Sequence, residues 1–246
     1  MFNFFSKKQV SKTDLPLVEA ETYGDFSKDD WEIINEIRPF TMTSLERIKV
    51  LLDAVGYITN NSIEGDMVEC GTWKGGSIMA MMKKLLQQSV TDRRIWVFDT
   101  FDGMPAPKEI DETYRRESAK RILDTSSKET SFVWAYSPIE EARKNILSVG
   151  YPARNISFVK GKVEDTIPVT SIEKIALLRL DTDWYSSTKV ELEYLFPRLV
   201  EGGILIIDDY GHWQGCKKAV DEYFTKIAYP IFLGRVDYTG RIMVKK

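Results

Sequence analysis

The stretch Val68-Glu69-Cys70-Gly71-Thr72-Trp73-Lys74-Gly75-Gly76-Ser77 decides the fold. A short apolar run closes on an acidic residue and a cysteine, a glycine-rich turn follows, and a helical pattern begins at Ser77. Glycines at 71, 75 and 76 permit a tight strand-to-helix turn and a close approach of backbone to a ligand. The helix start behind them offers free N–H groups to a carboxylate or phosphate. The spacing G-x-x-x-G-G is neither the dinucleotide G-x-G-x-x-G nor a Walker A loop.

Outward from this turn the chain alternates strands and helices. Strand candidates are residues 67–70, 95–99, 156–159, 175–180 and 204–207, most of them short, continuous and β-branched, as parallel strands covered on both faces should be. Helices are expected over 77–88, 139–147, 188–199 and 216–227. Thr43-Ser44-Leu45-Glu46 matches a capping box, and Leu45, Ile48, Leu52, Val55 and Ile58 recur behind it at helical spacing. Residues 29–36 read as a further short helix. Repeated βα units imply an α/β, doubly wound, Rossmann-like and mostly parallel sheet. At the C-terminus residues 229–233 and 235–244, with a Thr239-Gly240 turn, read as an antiparallel hairpin closing a seven-stranded sheet. That layout is the class I methyltransferase fold. Residues 1–40 are expected to form an N-terminal extension or cap and 41–246 the domain. A charged interruption at 102–136 reads as a lid-like insert.

Composition narrows the classes. The chain has 246 residues, and 34 Lys+Arg against 37 Asp+Glu give a net charge of −3, which gives no support to a nucleic-acid binder. One His excludes a His-rich metal site, and no G-x-S-x-G elbow is present for a serine nucleophile. Two Cys make a disulfide framework improbable and point to a reducing, cytoplasmic setting. The longest apolar runs are strand-sized, so no membrane span is expected. Phe2, Phe4 and Phe5 beside Lys7 and Lys8 suit a mobile tail or a contact between copies of the chain better than a membrane surface.

Ligands of open α/β sheets bind at the carboxyl ends of the strands. Glu69 would repel a pyrophosphate but suits the ammonium and sulfonium of S-adenosylmethionine, while Gly71, Thr72, Gly75 and Ser77 frame the turn around it. Asp99, closing the second strand, can accept from both hydroxyls of a ribose, a geometry shared with nicotinamide enzymes. Asp181, Asp208 and Asp209 end the fourth and fifth strands, and if those strands are neighbours the three carboxylates converge. Mutual repulsion would then raise their pKa values unless a cation intervenes, and an all-oxygen set selects Mg²⁺. Asp183 is placed to act as a general base, and His212 is the other candidate base or substrate contact.

The ordered segments Thr41-Met42, residues 68–76, Phe98-Asp99-Thr100-Phe101-Asp102-Gly103-Met104-Pro105, residues 178–188 and residues 202–210, with 215–223, resemble the macrocin O-methyltransferase family. The resemblance covers about residues 40–225. It implies a metal-dependent class I enzyme that methylates sugar hydroxyls of natural products. It also implies Asp181, Asp208 and Asp209 as metal ligands and Asp183 as base, with cofactor contacts from Thr41, Met42, Glu69, Gly71, Asp99, Thr100 and Phe101. Two positions depart from the family pattern: its Trp-Arg-Gly-Gly is Trp73-Lys74-Gly75-Gly76 here, and its Asp-Gly-Asp is Asp181-Thr182-Asp183. The expected function is therefore Mg²⁺-dependent O-methyl transfer from S-adenosylmethionine to a glycoside or sugar acceptor. A catechol-type O-methyltransferase, a non-catalytic adenosyl-ligand binding protein and a dehydrogenase are the competing readings.

Overall fold

The computed structural model describes residues 23–246, so the aromatic tail with Phe2, Phe4 and Phe5 lies outside the described residues. Five parallel strands form the centre: β1 (Asp66–Cys70), β2 (Ile95–Asp99), β3 (Ile156–Lys160), β4 (Ile175–Leu180) and β5 (Leu199–Ile207). Two short strands, β6 (Gly234–Arg235) and β7 (Arg241–Val244), complete a seven-stranded sheet in the order β3-β2-β1-β4-β5-β7-β6. β7 runs antiparallel to both β5 and β6. The order reverses between β1 and β4, the switch point at which a crevice opens beyond the strand ends.

Side chains alternate across the sheet and divide into two cores. Met67, Val97, Leu177 and Ile206 pack on one face against α1 (Lys28–Ile37), α2 (Leu45–Asn60), α3 (Gly76–Gln87) and α5 (Ile139–Leu147). Val68, Phe98, Leu178 and Leu205 pack on the other, against α4 (Ala119–Asp124), α6 (Val163–Thr166), α7 (Tyr185–Leu195) and α8 (Gln214–Lys226). Helix α1 brings Ile33, Ile34 and Ile37, all buried, into the first core. No helix among the described residues is long and apolar enough to cross a membrane.

Three local expectations are corrected. The N-cap of α2 is Ser44, whose Oγ accepts from the Arg47 amide at 3.2 Å. Thr43 instead takes a hydrogen bond from Arg179, and Glu46 one from the Tyr23 hydroxyl. A genuine capping box stands one helix earlier, between Ser27 and Asp30. Residues 229–233 are not a strand: Tyr229 packs on Phe196 and its hydroxyl accepts from the Lys246 amide, leaving β6 to begin at Gly234. Finally, the helix expected over 188–199 is α7, Tyr185–Leu195, and the strand expected over 204–207 begins already at Leu199.

The insert 102–136 is fastened to the site side of the sheet. Asp111 is buried and accepts from the amides of Lys108 at 2.7 Å and Tyr185 at 2.9 Å. The Trp184 indole donates to the Pro105 carbonyl at 3.0 Å.

Candidate active site

A cleft open to solvent lies at the carboxyl ends of β1, β2, β4 and β5. The glycine turn forms its floor. Gly71 has φ +82, and a Cβ there would lie 1.9 Å from the Asp181 carbonyl oxygen, so only glycine lets the ends of β1 and β4 come this close. At Gly76, where α3 begins, a Cβ would fall 2.6 Å from Phe40 O and Thr41 Cβ. The segment bearing Thr41 and Met42 therefore crosses the start of α3, with Met42 exposed.

Asp99 fixes the turn. Its Oδ2 accepts from the amides of Thr72 at 2.7 Å and Trp73 at 3.0 Å, and its Oδ1 from the Phe101 amide at 2.7 Å. Burial raises its pKa, and the amide bonds oppose that rise. Thr41, Met42, Gly71, Thr72, Ser77, Asp99 and Thr100 all line the cleft. Glu69, Gly75 and Phe101 do not line it. Glu69 is fully buried beneath the floor, bonded to the Thr72 hydroxyl at 3.0 Å and to the Arg179 guanidinium. Gly75 turns toward α5, where a Cβ would meet the Ile146 side chain at 2.5 Å. Phe101 packs in the core with φ +50.

The acidic end is built by adjacent strands, since β4 and β5 pair in parallel with Leu180 opposite Ile207. Asp181, Asp208 and Asp209 each offer an oxygen, and these three atoms lie within 4.8 Å of one another, the one such cluster among the described residues. Asp183 follows with a left-handed backbone, φ +66, the kind of strain that persists where surroundings over-determine it. Two arginines partly neutralise the group. Arg179 reaches Asp181 at 2.8 Å and Asp208 at 2.7 Å, and Arg47 from α2 pairs with Asp208 and, at 3.0 Å, with Asp237.

Six carboxyl groups (Glu69, Asp181, Asp183, Asp208, Asp209 and Asp237) thus surround two guanidinium groups. Burial, then the surrounding carboxylates, push Asp181 and Asp209 well above the usual carboxylate range, although Arg179 holds Asp181 back. Burial also pushes Asp183 up to about 6. Such a set favours a hard cation, and its donor chemistry fits Mg²⁺.

His212 stands outside the cleft lining. Its ring lies edge-on to Tyr114 and Trp213, with Nδ1 3.2 Å from the Tyr238 hydroxyl, and burial lowers its pKa. Sequence reading did not single out Arg47 or the 162–164 segment and marked Thr182 only as a departure from the family pattern, yet all of them line the cleft. Nor did it single out Arg179, although a lone charge inside the apolar strand Ile175–Leu180 was a signal available in the sequence.

A sheet of this order, with a glycine turn after β1, an acidic residue closing β2 and carboxylates closing β4 and β5, has the layout of the class I methyltransferases. The model of the macrocin O-methyltransferase family (TylF) matches residues 27–245, and the chain belongs to that family. It is 34% identical over 214 residues to a demethyldecarbamoylnovobiocin O-methyltransferase of Streptomyces niveus, covering 85% of this chain and 79% of that one. A second relative, from Streptomyces olivaceus, is 8-demethyl-8-(2,3-dimethoxy-alpha-L-rhamnosyl)-tetracenomycin-C 4'-O-methyltransferase, 35% identical over 81% of this chain and 73% of its own. The solved structure of the O-methyltransferase NovP superposes with a TM-score of 0.73 at 32% identity, covering 84% of this chain and 82% of that one.

Proposed function

We propose that this enzyme moves the methyl group of S-adenosylmethionine to a hydroxyl of a sugar carried by a natural product or glycan, with Mg²⁺ and in the cytoplasm. The observation that carries the reading is one cleft lined by both the glycine turn and the convergent Asp181, Asp208 and Asp209. The sugar acceptor is favoured by the relatives, since the tetracenomycin enzyme's name places its reaction on a rhamnosyl group.

Thr41, Met42, Gly71, Thr72 and Ser77 would border the cofactor, with the free N–H groups of α3 facing its carboxylate. Asp99 would act chiefly by holding the turn in shape, since three backbone amides already occupy its oxygens. Asp181, Asp208 and Asp209 would hold the ion, which when bound supplies Lewis-acid lowering of an acceptor hydroxyl's pKa. Asp183 would take the hydroxyl proton. His212, set with Tyr114 and Tyr238 outside the cleft lining, would contact the acceptor.

The test is a panel of glycosides and catechols incubated with labelled S-adenosylmethionine and Mg²⁺. Label transferred to glycosides supports the proposal, and transfer confined to catechols overturns the acceptor class.

A further inference from the structure

Glu191, on α7, has no accessible surface and does not line the cleft. Its Oε1 accepts a hydrogen bond from the Thr182 hydroxyl at 2.8 Å, and its Oε2 has no partner. Thr182 stands between Asp181 and Asp183, at the position where the family pattern has glycine.

The turn around Thr182 needs fastening. Asp183 sits in the left-handed region, with φ +66, a conformation uncommon for residues other than glycine. Backbone bonds hold the flanks: the Asp181 amide donates to Cys70 O at 2.8 Å and the Trp184 amide to Thr182 O at 2.8 Å. The Thr182 methyl lies 3.4 Å from the point a Cβ on Gly71 would occupy. Thr182 therefore stands beside the glycine turn on one side and reaches α7 through Glu191 on the other.

We propose that Glu191 is a positioning residue whose hydrogen bond to Thr182 holds the 181–183 turn in the form that presents Asp181 and Asp183 to the cleft. The inference rests on the reading of those aspartates as working groups. The hydrogen bond needs only an acceptor oxygen, so glutamine is its faithful replacement. Burial pushes the acid up to about 8, against the lowering effect of the Thr182 hydrogen bond and with Glu164, Asp181 and Asp183 adding to the rise.

The experiment is hydrogen exchange followed by mass spectrometry in EDTA on the wild type, Glu191→Gln, Glu191→Ala and Thr182→Val. Loss of one hydrogen bond predicts exchange at the Asp181 and Trp184 amides about tenfold faster in the alanine and valine variants. The amides of β5 should stay unchanged, which separates this effect from general unfolding. Glutamine should exchange as the wild type does.

A parallel titration with Mn²⁺, read by electron paramagnetic resonance, should show weaker binding in the alanine and valine variants alone. Exchange in Glu191→Ala as slow as in the wild type overturns the proposal. So does Glu191→Gln behaving like Glu191→Ala, because charge and not the hydrogen bond would then be at work. A wild type that binds no Mn²⁺ would defeat the metal reading, while the exchange comparison would still decide the role of Glu191.

Discussion

Glu69 of β1 and Arg179 of β4 are register partners on neighbouring parallel strands, and their carboxylate and guanidinium meet in a fully buried ion pair. Arg179 then extends to Asp181 and Asp208, tying the floor of the cofactor turn to the acidic end of the cleft. Removing the cation would leave several buried carboxylates without compensation. Arg179→Met should lower stability by about 3–5 kcal/mol, measured by urea denaturation. Adding Glu69→Gln should recover part of that loss, and a double variant no more stable than the single one would contradict the pairing.

Asp99 holds three amides of two loops, so its loss should affect the cofactor through geometry. Asp99→Ala should weaken S-adenosylhomocysteine binding about tenfold or more in calorimetry, as expected when charge-assisted bonds of about 1.5–3 kcal/mol each are removed. Asp99→Asn, which keeps one acceptor oxygen, should fall between the two.

Gly71→Ala should abolish cofactor binding even if the chain folds. Its Cβ would overlap the Asp181 carbonyl oxygen, which forces β1 and β4 apart at the point where both halves of the site meet. Unchanged S-adenosylhomocysteine affinity in this variant would refute the close approach.

The buried acid Glu191 gives a pH signature. Its ordinary pKa is 4.5 and its folded value is pushed up to about 8, so the folded chain keeps a proton that the unfolded chain gives up. The resulting stability is full below about pH 4.5 and is lost as pH rises through 8. Measured in EDTA, the wild type should therefore lose melting temperature relative to Glu191→Gln between pH 5 and 9, at about 2–4 °C per kcal/mol for a chain of this size. Parallel melting curves across that range would contradict the assignment.

Much of this was legible in the chain itself, for definite reasons. β2 and β4 fall where their apolar runs stop at Asp99 and Asp181, because an acidic residue ends a strand buried on both faces. β5 was read too short, since Glu201-Gly202-Gly203 interrupts its apolar pattern although Leu199 already pairs with Ile175. The three aspartates could be listed from the sequence as strand ends, but their meeting required β4 and β5 to be neighbours. Glu69 could not be known to lie under the floor, since its partner is 110 residues away and no spacing rule joins them. Arg47 was hidden for the same reason, reaching Asp208 from a helix whose pattern announces only its apolar face.

Asp183 is the group proposed to receive the acceptor's proton. Asp183→Asn should lower turnover roughly 10²–10⁴-fold while leaving S-adenosylhomocysteine affinity unchanged. A variant with wild-type turnover would move the base elsewhere.

The most direct measurement is methyl transfer from labelled S-adenosylmethionine to a glycoside acceptor, followed in Mg²⁺, in EDTA, and after Mg²⁺ is restored. Transfer that stops in EDTA, returns with the metal and is lost in Asp181→Asn is the expected result. Transfer that continues undiminished in EDTA would contradict a metal role for Asp181, Asp208 and Asp209.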